Sequence, residues 1–345
     1  MDDETSWLPP ELAPVALRLA RADQAEFQIG ELALEWSRGA LDFDQVENDE
    51  SGIELTVTGI RPIPPLLSML FSEAIHHLRA AIENTLFYLV GASRSEELSE
   101  AQARAIEMPI YEKPGDLVKW QKKREQRGVD ELGAESTLGR RVASLQPYAD
   151  PAVVYSLTPS IGVLMGGAPE TAHPMLLLQK YSNEDKHRAI RMAAVRTLIQ
   201  NWGEPFWTSE RRMRPLEVGD VVATTPLGVV VPVETSSAVH VQRPESSTWV
   251  APGGELDQIH RHVADVVIPT LVTGFALTRS LPPKIDLTNT GQEPVERVRS
   301  GRWEPAHQRF AKIAVAALED ATDPPRIPPI RRRSNVAEAP SDAVE

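Results

Sequence analysis

Cysteine is absent from all 345 residues. With it go disulfides, thiolate zinc sites and cysteine nucleophiles, and a reducing compartment is the natural setting. Basic charge is in short supply: 36 Lys and Arg against 49 Asp and Glu leave a formal net charge of -13. So acidic a chain excludes broad, sequence-independent binding to nucleic acid, because neutralising phosphates needs a basic surface, and RNA would have to use a local patch. Long apolar runs are missing too. The greasiest stretch, "VVIPTLVTGFAL", is too short and too interrupted to span a bilayer. The start, "MDDETSWLPP", has no apolar segment of the secretory kind, so no signal is expected. A soluble, cytoplasmic protein with no membrane partner is the expectation.

Familiar nucleotide and hydrolase signatures are also lacking. "GVLMGGAPE" and "APGGE" have glycines without the lysine and spacing of a phosphate-binding loop. There is no Gly-x-Ser-x-Gly elbow and no strand–Gly-x-Gly-x-x-Gly–helix unit. Trp202, Trp207, Trp249 and Trp303 read as packing anchors.

What is present is an ordinary globular composition, 41% hydrophobic and 25% charged, with enough length for a large core. Residues 11–39 read as a first long helix, with Leu12, Val15, Leu19, Ala22 and Glu26 on one stripe and Pro14 in the first turn. "ALDFDQVENDESGIELTVTG" alternates twice around a polar turn, predicting a β-hairpin over about 41–60. "RPIPP" then launches a second long helix, 66–91, with a core stripe of Phe71, Ala74, Leu78, Ile82, Thr85 and Leu89, and Gly91 to end it. The run "KWQKKREQR" (119–127) is the one strong basic segment before the tail, and a short helix is expected at 136–146. A third long helix is predicted over 173–200, with Pro174 in its first turn. A Val- and Thr-rich β-insert follows at about 214–250, and a further helix bends at Pro269. The fold class expected is α+β, mainly α: a helical bundle of three to four long helices with a small antiparallel β-sheet insert, in one domain over 1–280. A Pro-rich extension over 281–345 carries one candidate helix at about 305–321 and a disordered tail.

The second helix is unusually polar. Glu73 lies one turn before His76 and His77, Arg79 and Glu83 continue the side of His76, and Asn84 that of His77. Both sides flank the apolar stripe, so part of this set should meet another helix and find partners there. The third helix interrupts its own apolar stripe of Leu176, Ile190 and Ala194 with Asn183 and His187, beside Asp185, Lys186 and Arg188. Packed together, the two helices could bring Asn183 and His187 to Glu73 and His77.

Four readings follow. In one, the histidines are satisfied boundary groups that fix helix register. In the second, Glu73, His76, Glu184 and His187 form a di-metal centre from two Glu-x-x-His pairs, completed by Glu26, Glu31 or Glu35 and by Asp257 or Asp265. The same spacing recurs at Glu170/His173 and Glu304/His307, so the pattern comes easily to this chain. In the third, Arg79 with His76 or His77, helped by His187 and Arg188, stabilises a phosphate and moves a ribose proton with no metal or cofactor. In the fourth, His77, Arg79, Lys186, His187 and Arg188 make a cationic inter-helix pocket for a small anionic ligand or a protein partner. "RIPPIRRR" in the tail reads as a docking segment or an ordinary flexible tail.

"PPLLSMLFSEAIHHLRAAIENTLFYLVG", a later "MPIY" and "HPMLLLQKYSNEDKHR" resemble a widespread, largely uncharacterised bacterial family. Its members carry a "HNLRSALDHL"-type helix, an "FPI"-type step and an "NxDKHR" helix. The matching residues are His76, Leu78, Arg79, Ala81, Asn183, Asp185, Lys186, His187 and Arg188. The likeness covers roughly residues 10–280 in outline, with position 184 variable. The family's helix is in turn similar to the HEPN superfamily of helical bundles. Its nucleases use Arg, a polar residue, three to five more residues and a His, usually in a composite dimer site. The resemblance implies RNA processing or defence, with RNA as substrate and a homodimer as the working form. Here Ala80 stands where the polar residue would be and Asn84 where the His would be, and an amide cannot shuttle a proton. The resemblance therefore implies a catalytically degenerate copy, or proton transfer by His76, His77 or His187.

Overall fold

The computed structural model describes residues 5–48, 52–159, 168–201, 214–227, 233–320 and 330–332. The turn expected at 49–51, the glycines of "GVLMGG", Trp202, Trp207 and nearly all of the tail beyond 320 lie outside them. Contacts divide the chain into two units. The first comprises Met1–Glu35, Ile63–Ala193 and Val239–Asp320, the second Trp36–Pro62, Ala194–Ala238 and Ala321–Glu345. The division does not fall at residue 280, because the first unit runs on to Asp320 and the hairpin belongs to the second.

In the first unit, α1 (Ala13–Ser37) and α2 (Pro65–Ala92) are the long helices, each started by prolines that need no amide partner. Leu12, Val15, Leu19, Ala22 and Glu26 are all buried, so the α1 stripe runs inward with its carboxylate included. On α2 the buried set is Leu67, Leu70, Phe71, Ala74, Ile75, Leu78, Ala81, Ile82, Thr85, Leu86 and Val90. Each large side chain there contributes about 1.5–3 kcal/mol on burial. Short α3 (Glu100–Ala103) starts on a Ser99–Gln102 capping box. It is followed by α4 (Pro114–Gln126) and α5 (Thr137–Ser144). A two-stranded ladder pairs β3 (Val154–Tyr155) with β4 (Thr171–Ala172).

The helix expected over 173–200 is much shorter. α6 spans Pro174–His187, Arg188 is extended at φ -151 and ψ 162, and residues Met192–Asn201 form a strand. Ile190, Val195, Thr197 and Ile199 carry the signal: β-branched side chains lose rotamer freedom in a helix and pack well on a pleat. α7 (Pro252–His262) passes through a π turn at Val263–Val267 into α8 (Ile268–Thr273), which Gly274 ends at φ 93. Pro269 has no amide to give the Asp265 carbonyl four residues back, and Leu277 N–H takes that carbonyl at 2.9 Å. The unit closes with α9 (Pro294–Arg299) and α10 (Ala306–Asp320). Gly30 lets α10 approach α1, since a Cβ there would meet the Phe310 ring at 2.7 Å.

Arg243 and Glu255 form the deepest ion pair of this unit among the described residues, each 1% exposed. Arg243 donates from Nε and Nη2 to the two carboxylate oxygens at 2.9 and 2.8 Å, and Tyr181 donates to Glu255 at 3.2 Å.

In the second unit, β1 (Leu41–Asn48) and β2 (Gly52–Ile60) make the expected hairpin. β7 (Val221–Thr225) extends it antiparallel beside β2, while β10 (Ile330–Arg332) runs parallel to β1. A small core of Val57, Leu216 and Val222 sits under Leu41, Phe43, Leu55, Ile60 and Ala223. Here too β5 (Met192–Asn201) pairs β6 (Arg214–Pro215) antiparallel. β8 (Val233–Gln242) pairs β9 (Trp249–Val250) through Val241 and Gln242, residues that belong to the first unit.

The expected bundle of three to four long helices with one small antiparallel insert is therefore corrected. The chain is α+β with about 51% helix and 15% strand. Among the described residues its helix is spread over many short segments, and its strands over three sheets, one of them a curled four-stranded half-barrel. Among the described residues no helix is long and apolar enough to cross a membrane.

Candidate functional site

The polar residues of α2 are divided among three neighbours. Glu73 faces α1, where Arg21 holds it with two parallel hydrogen bonds of 2.7 Å. His77 Nε2 lies 3.6 Å from the same carboxylate, and Arg18 Nη1 lies 3.4 Å from His77 Nδ1. Burial in this cationic setting holds the His77 imidazole below its ordinary pKa, against the pull of Glu73. Arg79 donates to the Met108 carbonyl at 2.8 Å and pairs with Glu83 at 2.5 Å, while Glu83 accepts the Met108 amide at 2.8 Å. The "MPIY" step is thus clamped by its backbone to an Arg–Glu pair.

Residues of "NEDKHR" do lie beside α2, but not as a shared cluster. Ser72 donates to Asp185, and Phe71 meets Tyr181 edge-on with centroids 5.0 Å apart. Asn183, Lys186, His187 and Arg188 are exposed, as are His76 and Asn84. His77 is thus the more inward of the paired histidines. Glu73, His76, Glu184 and His187 form no convergent ligand group; among the described residues two such groups exist, both elsewhere. Of the basic run, Lys119, Lys122 and Lys123 face solvent, whereas Arg124 is buried over the Trp120 ring at 4.6 Å and pairs with Glu107 at 2.6 Å.

The candidate site is a cavity of about 470 Å³ in the first unit, between α1, α7, the loop at 279–283 and the start of α10. α1 contributes Asp23 and Glu26, one turn apart. Asp23 caps α10 by accepting the Ala306 amide at 2.7 Å, and it also pairs with Arg309. α7 contributes Asp257 and Arg261 at i,i+4, joined at 2.6 Å. His260 is the fixed point of this wall, its Nε2–H donating to the Leu19 carbonyl at 3.0 Å.

His307 opens α10, and its Nδ1 lies 2.9 Å from Asp257 Oδ1. A carboxylate there accepts Nδ1–H and leaves the lone pair on Nε2, the arrangement of a general base held by its orienting acid. Glu26 lies beside them: one oxygen of Glu26, one of Asp257 and a ring nitrogen of His307 are all within 4.8 Å of one another. Burial, then the charges of Asp257 and Asp23, push the Glu26 carboxyl well above its ordinary pKa. Burial thus favours the protonated form of Glu26, while Asp257 is bonded to Arg261 at 2.6 Å.

Arg279 completes the site. Its backbone is left-handed at φ 55, uncommon for a residue with a side chain, and its guanidinium lies 5.2 Å from the centre of the Trp303 ring. Among the described residues it has no carboxylate partner. Asp265 secures the loop carrying it by accepting the Ser280 amide and hydroxyl at 3.1 and 3.0 Å.

Sequence reasoning touched Glu26, Asp257 and His307, but as members of metal-type patterns and never as one group. Arg279 and Trp303 gave no signal, since a single Arg in a Pro-rich loop looks like any other. Comparison with protein-family models, with curated proteins and with solved structures finds no match for this chain.

Proposed function

We propose that the first unit is a general acid–base enzyme, a hydrolase of small anionic substrates. The observation that carries this is the 2.9 Å His307–Asp257 contact beside the buried Glu26, whose carboxyl burial pushes well above its ordinary pKa. His307 Nε2 takes a proton from water as its oxygen attacks the substrate. Glu26 gives its proton to the leaving oxygen, and Asp257 stabilises the imidazolium that forms. Arg279, stacked on Trp303, takes a carboxylate or phosphate of the substrate. Among the described residues that line the cavity there is no serine, threonine, lysine or cysteine, and in this reading the nucleophile is water activated by His307.

The chemistry is placed here rather than on α2 because Arg79 is already committed to the Met108 carbonyl and to Glu83. The cavity is not a cationic inter-helix pocket either: its arginines are matched by carboxylates, leaving Arg279 alone for an anion. The test is a panel of small chromogenic carboxylate- and phosphate-bearing esters, run against wild type and the variants His307→Ala, Glu26→Gln and Arg279→Ala. Turnover that is lost in all three, with unchanged circular dichroism, supports the reading. Turnover indifferent to His307 and Glu26, or none with any member of the panel, sinks it.

A further inference from the structure

Asp150, His173 and His262 reach one point from three places in the first unit: the loop after α5, the N-cap of α6 and the last residue of α7. Their side chains are 10%, 7% and 5% exposed. Asp150 Oδ2, His173 Nε2 and His262 Nε2 are all buried, and none has a hydrogen-bond partner. Buried polar atoms without partners are rare, and three aimed at one another require an explanation.

Each group is held from behind. Asp150 Oδ1 accepts the Ala152 amide at 3.0 Å, which turns Oδ2 inward. His173 Nδ1 accepts the Met175 amide at 3.2 Å. The two rings meet edge-on with centroids 5.5 Å apart, and the π turn begins immediately after His262. Asp150 has no lysine or arginine beside it among the described residues, so a buried carboxylate lacks a cation.

The separations say what is wanted. Asp150 Oδ2 lies 3.5 Å from His173 Nε2 and 3.4 Å from His262 Nε2. Hydrogen bonds between such groups run at about 2.7–3.2 Å. Two donors sharing a tetrahedral zinc, each bonded at about 2.0–2.1 Å, sit roughly 3.3–3.4 Å apart. We propose that Asp150, His173 and His262 bind one zinc ion, with water as the fourth ligand, an ion that ties together α6, α7 and the loop after α5. Two imidazoles select a borderline ion over magnesium or calcium, which want oxygen. None of the three residues lines the cavity described above, so this site is separate from the proposed acid–base site.

Ligation asks one change of the chain. His173 must present its Nε2 lone pair, so its ring proton moves to Nδ1 and the Met175 amide loses its acceptor. That amide lies in the first helical turn, where amides have no intrahelical partner and water can serve.

Metal content of the untagged protein, purified without chelator, is the test. The expected result is one zinc per chain, removed by a strong chelator with a fall in Tm and restored by zinc sulfate. Cobalt(II) put in its place should give the intense visible bands of a tetrahedral ion, a readout that needs no variant. His262→Gln and His173→Asn, the latter keeping a side-chain acceptor for the Met175 amide, should weaken zinc binding roughly 100-fold or more. Asp257→Asn and His307→Ala should keep the zinc. A chain that takes up no zinc at micromolar concentration overturns the proposal. So does a weak, octahedral cobalt spectrum, or zinc retained in the first two variants and lost in the second pair.

Discussion

Two groups of histidine and carboxylate lie in the first unit, and they differ mainly in their surroundings. Around Glu26, Asp257 and His307 stand Arg261, Arg309 and Arg279, one side of the group opens into a cavity, and the His307 side chain is 42% exposed. Around Asp150, His173 and His262 no arginine or lysine pairs with the carboxylate among the described residues, and every side chain is closed off. Both contain a carboxylate and an imidazole, yet one is close enough for a hydrogen bond at 2.9 Å and the other stops at 3.4 and 3.5 Å. Burial acts on them in different directions. It drives Glu26 up toward its neutral acid, and it lowers His262 to about 4, toward its neutral base. In the proposed reading, a group with an opening and Arg279 free of a carboxylate among the described residues handles protons for a substrate, while a sealed one without lysine or arginine holds an ion.

The contrast can be broken most strongly at His307. His307→Ala should reduce turnover of any substrate the panel finds by about 10²–10⁴-fold while leaving stability within about 0.5 kcal/mol, as befits a half-exposed side chain. Equal losses of activity and stability would mean that the two groups do not differ in kind. Next in size, Asp150→Asn should cost the zinc-loaded protein about 3 kcal/mol in chemical denaturation, the equivalent of a roughly 100-fold loss of zinc affinity, with no direct effect on the cavity. An unchanged midpoint would show that the sealed group contributes nothing to holding α6 and α7.

Glu26 gives a pH signature of intermediate size. Its folded pKa lies above its unfolded value, so its contribution to stability is fully present below the ordinary carboxylate range. That contribution is lost as pH rises through the folded value. Glu26→Gln should flatten this alkaline decline of Tm, and an unaltered profile would mean that Glu26 is ionised throughout. The smallest effect is expected for His76→Ala. This ring is exposed and, among the described residues, makes no hydrogen bond or ion pair, its ring neighbour being His77 with centroids 5.9 Å apart, so both activity and stability should stay within error. A large loss of turnover would move the chemistry back to α2.

Legibility in the sequence followed the kind of signal. α1, α2 and the hairpin were readable because a strong stripe or alternation coincided with Pro and Gly boundaries. The end of α6 was not, because no Gly or Pro follows His187 and the change to strand rests on β-branched residues within a run that keeps a helical spacing for Ile190 and Ala194. The paired histidines and "NEDKHR" drew attention by density, yet density on a helix surface describes how polar groups share out neighbours: Glu73 to Arg21, Arg79 to Met108, Asp185 to Ser72. Asp150, His173 and His262 are separated by 23 and 89 positions and share no motif. Only the fold brings them together, as it does Arg279 and Trp303 around Glu26.

The Asp23 cap on α10 has a consequence for how the protein is made. Its two partners are 283 positions apart, and synthesis at about 5–20 residues per second separates their appearance by roughly 15–60 s. Until residues 306–310 exist, neither the Asp23 cap nor the Gly30–Phe310 approach can form. The oriented imidazole, the partner of the Asp23 cap and the Trp303 side of the cavity all arrive with the same few residues, 303–310. A chain that stops before these residues has Asp23, Glu26 and Asp257 without the His307 and Trp303 that line the same cavity.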